Sequence, residues 1–404
     1  MNELNVNRRR VLLGGAGLLG AGISGRLFAA PAAGPRFLLV FLRGGYDSTN
    51  LLIPYSSSFY YETRPNIAVA KPDPASNTSA LALDADWALA PAVRESIGSL
   101  YLQRQVAFVP FTGTADLSRS HFETQDSIEL GQPLGGPRDF RSGFLGRLSE
   151  QLTGPAQANS SIAFTDALPL AFEGAATVPN LSLKSVGKPP FDERQAHILS
   201  DMYAGHHLEA AVSNGLELRH EVAQEMAEEM SAANRNAINT KGFELEAERM
   251  GRLMRDKYRI GFIDIGGWDT HVGEGAAAGP LASNLGSLGR GLQVFSSSLG
   301  SEWNNTVVVV LSEFGRTFRE NGNRGTDHGH GTVYWVLGGS IGGGTIVGEQ
   351  QRLVQNTLFQ NRDYPVLNDY RSVLGGLFRR LWGLSPEQSS RVFAQASPVD
   401  LKLV

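Results

Sequence analysis

Continuous apolar runs recur along the chain at 36–42 (RFLLVFL), 106–111 (VAFVPF), 258–265 (YRIGFIDI), 306–311 (TVVVVL) and 333–337 (VYWVL). Runs of this length without alternation predict strands buried on both faces, as in a sheet covered by helices on each side. Apolar residues at helical spacing predict helices over 281–299 and 369–384, and the charged stretch 193–256 is patterned like helices as well. Between them, 54–86 and 132–190 are rich in Gly, Pro, Ser and Asn and read as loops with short apolar pieces such as 161–164. Strands separated by helical stretches predict an α/β fold, doubly wound around a mostly parallel sheet, with 116–256 as an insertion between core strands. No internal repeat, glycine-rich nucleotide fingerprint or heptad run interrupts this plan.

Each strand run ends in polar chemistry. The first runs into Arg43-Gly44-Gly45-Tyr46-Asp47-Ser48, the third into Gly266-Gly267-Trp268-Asp269-Thr270-His271, and the fourth into Ser312-Glu313-Phe314-Gly315-Arg316. A glycine-hinged loop then carries Asp327, His328 and His330 ahead of the fifth run. In an open α/β sheet the carboxyl ends of neighbouring strands share one crevice, so these groups are expected to converge. Asp-x-His at 269 and 271 turns both side chains to one side if the backbone is extended. Ser118, Ser120 and His121 follow the second run. Ser120 reads either as a hydroxyl nucleophile beside a base or as the cap of a helix whose N-terminus favours an anionic group.

Composition narrows the chemistry. The 404 residues contain no cysteine, so any metal would be held by Asp, Glu, His, hydroxyl or carbonyl groups. Such a shell suits Zn, Mn, Mg or Ca, as one ion or two. Arg43 and Arg316 are the alternative means of neutralising converging carboxylates. A net charge of −4 speaks against nucleic acid as a partner. Residues 1–33 have a basic start with Arg8-Arg9-Arg10, a short apolar middle and Ala-Pro-Ala-Ala at the end. This order predicts a secretory leader, and the arginine pair before Val11-Leu12 resembles a twin-arginine signal. The expected mature chain, 34–404, is a single domain in the periplasm or outside the cell, with no stable membrane span after cleavage.

The motifs RGGYDSTN, SRSHFETQDSIELG, GGWDTH, LSEFGRT and TDHGHG, in this order behind such a leader, resemble the bacterial domain-of-unknown-function family 1501. That family is in turn similar to the alkaline phosphatase and sulfatase superfamily. The resemblance implies two metal ions flanking a hydroxyl nucleophile. By matching positions it implies Ser120 as nucleophile, with Ser118 second, and Asp47, Asp269, His271, Glu313, Asp327, His328 and His330 as metal ligands. Arg43, Arg316 and His121 would assist at the anionic group. Two positions depart from the superfamily: Phe314 stands where a ligand histidine is expected, and the Asp269–His271 spacing is short. The formylglycine signature of sulfatases is absent. The expected function is an exported metal-dependent hydrolase of phosphate or sulfate monoesters, acting on a small-molecule or glycan anionic ester. The alternative is an inactive binding or assembly protein on the same fold.

Overall fold

A computed structural model describes residues 34–152, 160–174, 178–181, 204–206 and 242–404. The leader expected at 1–33 and much of the insertion expected at 116–256 lie outside the described residues.

The five apolar runs form the strands of the central sheet. They are β1 (Arg36–Leu42), β2 (Val106–Gly113), β4 (Ile260–Ile265), β5 (Thr306–Ser312) and β6 (Thr332–Leu337). Three shorter pieces complete it: β3 (Ser161–Ala163), β7 (Thr345–Ile346) and β8 (Asn368–Asp369). The order across the sheet is β7-β2-β6-β5-β1-β4-β3, with β8 also on β2. β1 is central, and Val40 pairs in parallel with Ile263 on one side and Val310 on the other.

The alternation of β1 shows why its run is apolar after Arg36. Leu38, Val40 and Leu42 pack into one core with α3 (Phe243–Asp256) and α4 (Pro280–Leu299). Phe37, Leu39 and Phe41 pack into the other with α2 (Phe144–Leu152), α5 (Tyr370–Trp382) and α6 (Pro386–Val392). Burial on both faces leaves Arg36, at its start, as the one polar residue of the strand. The fold is thus a doubly wound α/β sheet, as expected. Parts of the expected insertion nevertheless belong to this core, because β3 extends the sheet beside β4 and α3 packs on α4. No helix among the described residues is long and apolar enough to cross a membrane.

One strand runs against the others. β6 is antiparallel to both β2 and β5. Its start therefore lies beside the carboxyl ends of its neighbours, which brings the Asp327–His330 loop to the rim where β1, β4 and β5 end.

Candidate metal centre

The rim gathers four groups from three elements. His121 opens α1 (His121–Leu130), reached from the end of β2. Asp269 and His271 follow β4, and His328 precedes β6. The Nε2 atom of His328 lies 3.0 Å from that of His121 and 3.1 Å from that of His271. Asp269 faces all three imidazoles, with Oδ1 3.0 Å from His271 Nε2 and 3.4 Å from His328 Nε2, and Oδ2 3.6 Å from His121 Nε2. Among the described residues, His121, Asp269 and His328 alone satisfy the spacing of a metal-holding group.

The opposite nitrogen of each ring explains this convergence. Nδ1 of His121 is 2.7 Å from Glu313 Oε1, Nδ1 of His328 is 3.0 Å from the carbonyl of Arg119, and Nδ1 of His271 is 3.3 Å from Asp327 Oδ1. An acceptor on every Nδ1 favours the Nδ1–H tautomer and turns the Nε2 lone pairs inward. His121, Asp269 and His328 would each offer one ligand atom to a cation, and His271 stands beside them with its Nε2 atom 3.1 Å from that of His328. A shell of three imidazoles and one carboxylate suits a transition-type divalent ion such as zinc better than magnesium or calcium.

Electrostatics point the same way. Burial would lower the pKa of His121, but hydrogen bonds to Asp269 and Glu313 outweigh it and push the ring up to about 9. Burial works against ionisation of Asp269, yet its imidazole partners and Arg316 hold it well below the usual carboxylate range. Glu313, fully buried, is likewise held down to about 2, chiefly by His121 against the cost of burial. Burial lowers His328, which stays neutral and able to ligate.

Several expected site residues take other places. The Asp47 carboxylate forms a two-point ion pair with Arg64, both fully buried, and does not reach the cluster. Burial raises and Arg64 lowers its pKa, with the net effect downward, while neighbouring Glu274 is pushed well up by burial and by Asp47. Arg64 is therefore the cation beside Asp47 at the end of β1. Glu313 accepts from His121, from Gln125 at 2.8 Å and from the amide of Gly44 at 2.8 Å, so it orients a ligand instead of serving as one.

His330 packs its ring on Phe359, 4.9 Å between centroids, away from the cluster; burial, then Arg119, lowers its pKa to about 4. Asp327 reaches the site only through His271. Arg43 is held by Asp264 at 2.7 Å, Glu129 at 2.9 Å and Gln125 at 2.9 Å. Arg316 lies under the cluster on Asp269 and on the carbonyls of Gly44, Gly45 and Trp268. Ser120 precedes α1 as its N-cap residue, but its side chain makes no cap hydrogen bond. Ser118 Oγ bonds Thr124 instead.

Phe314 walls the cluster, with ring centroids 4.9 Å from His121 and 5.1 Å from His328. Its neighbour Gly315 lets the β5 exit press on the β6 entrance, through Gly315 N to His330 O at 2.9 Å and Gly329 N to Gly315 O at 2.8 Å. A Cβ on Gly315 would overlap the carbonyl of Gly331. Gly315→Ala is expected to lower stability by about 1–3 kcal/mol. An unchanged urea midpoint would show that the two segments have slack.

Sequence reasoning did not find Arg64, Gln125 or Glu274. Arg64 lies in an unpatterned loop, and no local signal marks it as the partner of Asp47.

Comparisons with known proteins add the family. No curated protein matches the sequence. Among solved structures the chain is similar to Ps i-CgsB in complex with k-i-k-neocarrahexaose, at a TM-score of 0.40 and 10% identity, over 92% of this chain and 76% of that one. It is similar to a protein in the alkaline phosphatase superfamily from Vibrio parahaemolyticus, at 0.35 and 11%, over 76% and 62%. It is also similar to the lipoteichoic acid synthase LtaP from Listeria monocytogenes, at 0.38 and 9%, over 92% and 76%. Likenesses this distant say nothing about activity. The family model described as "Protein of unknown function (DUF1501)" matches residues 35–394, and the chain belongs to that family.

Proposed function

We propose that the chain is an exported metal-dependent hydrolase of phosphate or sulfate monoesters, with one cation held by His121, Asp269, His271 and His328. The observation that carries this is the inward convergence of three Nε2 atoms whose Nδ1 partners are already fixed. A divalent cation there would stabilise charge on an ester oxygen and allow attack at neutral pH.

The chain supplies the rest. Glu313 fixes the tautomer and angle of His121, and Arg316 offsets the charge of Asp269 from below. Phe314 keeps water from one side of the cluster. Ser120, uncommitted at the helix start, is the proposed nucleophile, and the helix N-terminus favours the anion that its attack requires.

Elemental analysis of protein purified without chelator is expected to find about one transition-type ion per chain. Ser120→Ala is expected to abolish turnover of an aryl phosphate or sulfate with metal content intact. Full turnover in that variant would remove Ser120 from the mechanism.

A second reading has its own observation. Arg316 already compensates Asp269, and no base among the described residues hydrogen-bonds the Ser120 side chain. A metal-free protein with no turnover would make the fold a binding module.

A further inference from the structure

His271 and His328 stand on segments outside the helices and named strands, 266–279 after β4 and 313–331 before β6. A loop presents a ligand at a fixed distance only if a layer behind it holds the loop in place. The rings are steered through their Nδ1 atoms, but that does not fix one loop against the other.

Glu274 makes that connection. It is fully buried, and its Oε2 accepts from Thr270 Oγ1 at 2.9 Å and from Thr326 Oγ1 at 2.8 Å. Thr270 separates Asp269 from His271, and Thr326 lies two residues before His328. The other oxygen, Oε1, takes Asn50 Nδ2 at 3.3 Å. Asn50 is itself fixed, with Nδ2 2.8 Å from the carbonyl of Ile67 and Oδ1 accepting from Tyr60 at 2.7 Å and from Arg64 at 3.1 Å. One carboxyl group therefore joins both ligand-bearing loops to the end of β1, where Asp47 and Arg64 pair.

The main chains meet around this point. The amide of Thr326 donates to the carbonyl of Thr270 at 3.2 Å, that of Gly273 to Asn323 at 2.9 Å, and that of Glu274 to Arg324 at 2.9 Å. A Cβ on Gly325 would overlap the carbonyl of His271, so the two loops touch backbone to backbone. An acid is a costly way to fill buried space. An apolar side chain would fill it too, but apolar contact is non-directional and leaves the register of the loops open. Two hydroxyls converging on one oxygen set it to hydrogen-bond precision.

We propose that Glu274 is a positioning residue of the metal centre, setting His271 against His328 through Thr270 and Thr326 without itself reaching the ion. The proposal deepens the hydrolase reading and rests on it for what the aligned ligands hold. It also gives the buried polar group at the end of β1 a part in the site, as the anchor from which Asn50 meets Glu274.

The test compares Glu274→Leu, Glu274→Gln and a double variant, Thr270→Val with Thr326→Val. Valine matches threonine in shape and removes only the hydroxyls, so the double variant reads the contact even if Glu274→Leu fails to fold. In metal-stripped protein, hydrogen exchange at the amides of Gly273, Glu274 and Thr326 is expected to quicken about tenfold or more in the double variant and in Glu274→Leu, with β1 and β5 at wild-type rates. Zinc affinity is expected to fall about 10–100-fold in the same two variants. Glu274→Gln keeps an oxygen for both hydroxyls and is expected to return both readings close to wild type. Unchanged exchange at the junction in the double variant overturns the proposal. So does exchange that quickens equally in β1 and β5, which would mark a general loss of stability. Wild-type zinc affinity with the junction loosened, or a Glu274→Gln protein as impaired as Glu274→Leu, overturns it as well. A wild type that takes up no zinc would defeat the hydrolase reading, and exchange at the junction would then decide alone whether Glu274 sets the two loops.

Discussion

Arg64→Met is expected to cost about 3–5 kcal/mol of stability, the loss typical of breaking a buried ion pair from one side. Both partners of the pair are fully buried, and Arg64 contacts both carboxylate oxygens of Asp47. Its guanidinium also donates to the carbonyls of Phe318 at 2.7 Å and Thr317 at 3.0 Å and to Asn50 at 3.1 Å. Methionine fills much of the space and satisfies none of these acceptors. Glu274, whose pKa burial and Asp47 push well up, is itself an acid and supplies no positive charge to replace the arginine.

The pH dependence has a definite sign. Asp47 is held below its ordinary value of 3.8, so the stability it contributes is present above that value and disappears as pH falls through the lowered one. The deficit of Arg64→Met should therefore be full at neutral pH and shrink in acid. Urea unfolding at several pH values measures it. Asp47→Asn with Arg64→Met should recover most of the loss, because both charges then go together. A single-variant deficit below about 1 kcal/mol would mean that water reaches the pair.

The contrast between Asp47 and Asp269 shows what sequence could and could not reveal. Both follow a buried strand and a glycine pair, and both are delivered to the same rim. Asp-x-His carried its own geometry, since an extended backbone sends positions 269 and 271 to one side. Asp47 had no such neighbour, and its fate was decided by Arg64 from a loop without periodicity. The histidines at 328 and 330 show the opposite failure. The resemblance implied both as metal ligands, but only His328 reaches the cluster. His328 pairs across to Arg316, while His330 finds an aromatic partner in Phe359. The sheet was legible because burial on both faces leaves a long apolar signature. The site was legible where residues at strand ends carried their own chemistry, as at His121, Asp269 and His328, and not where a partner came from an unpatterned loop, as with Arg64.

His328→Ala is expected to have the largest effect on the metal centre. His328 is the middle ligand of the proposed centre, 3.0 and 3.1 Å from the other two Nε2 atoms and within 3.4 Å of Asp269. Its removal separates His121 from His271 and should leave less than about a tenth of the bound ion after dialysis, with turnover falling in step. Glu313→Gln tests the layer behind the ligands. Glutamine can still accept from one donor, but it removes the charge that makes His121 a strong base, so metal affinity is expected to fall about 10–100-fold with the ion still bindable at higher concentration. Metal and proton compete for His121, whose pKa in the ion-free protein is about 9. In that state the raised pKa contributes stability that is complete below the ordinary value of 6.5 and fades as pH rises through about 9. Metal affinity runs the other way, strengthening about tenfold per pH unit up to that point as the proton is displaced more easily. Titration of stripped protein with zinc at pH 6, 7 and 8 reads this slope. A flat profile, or full metal retention in His328→Ala, would place the ion elsewhere.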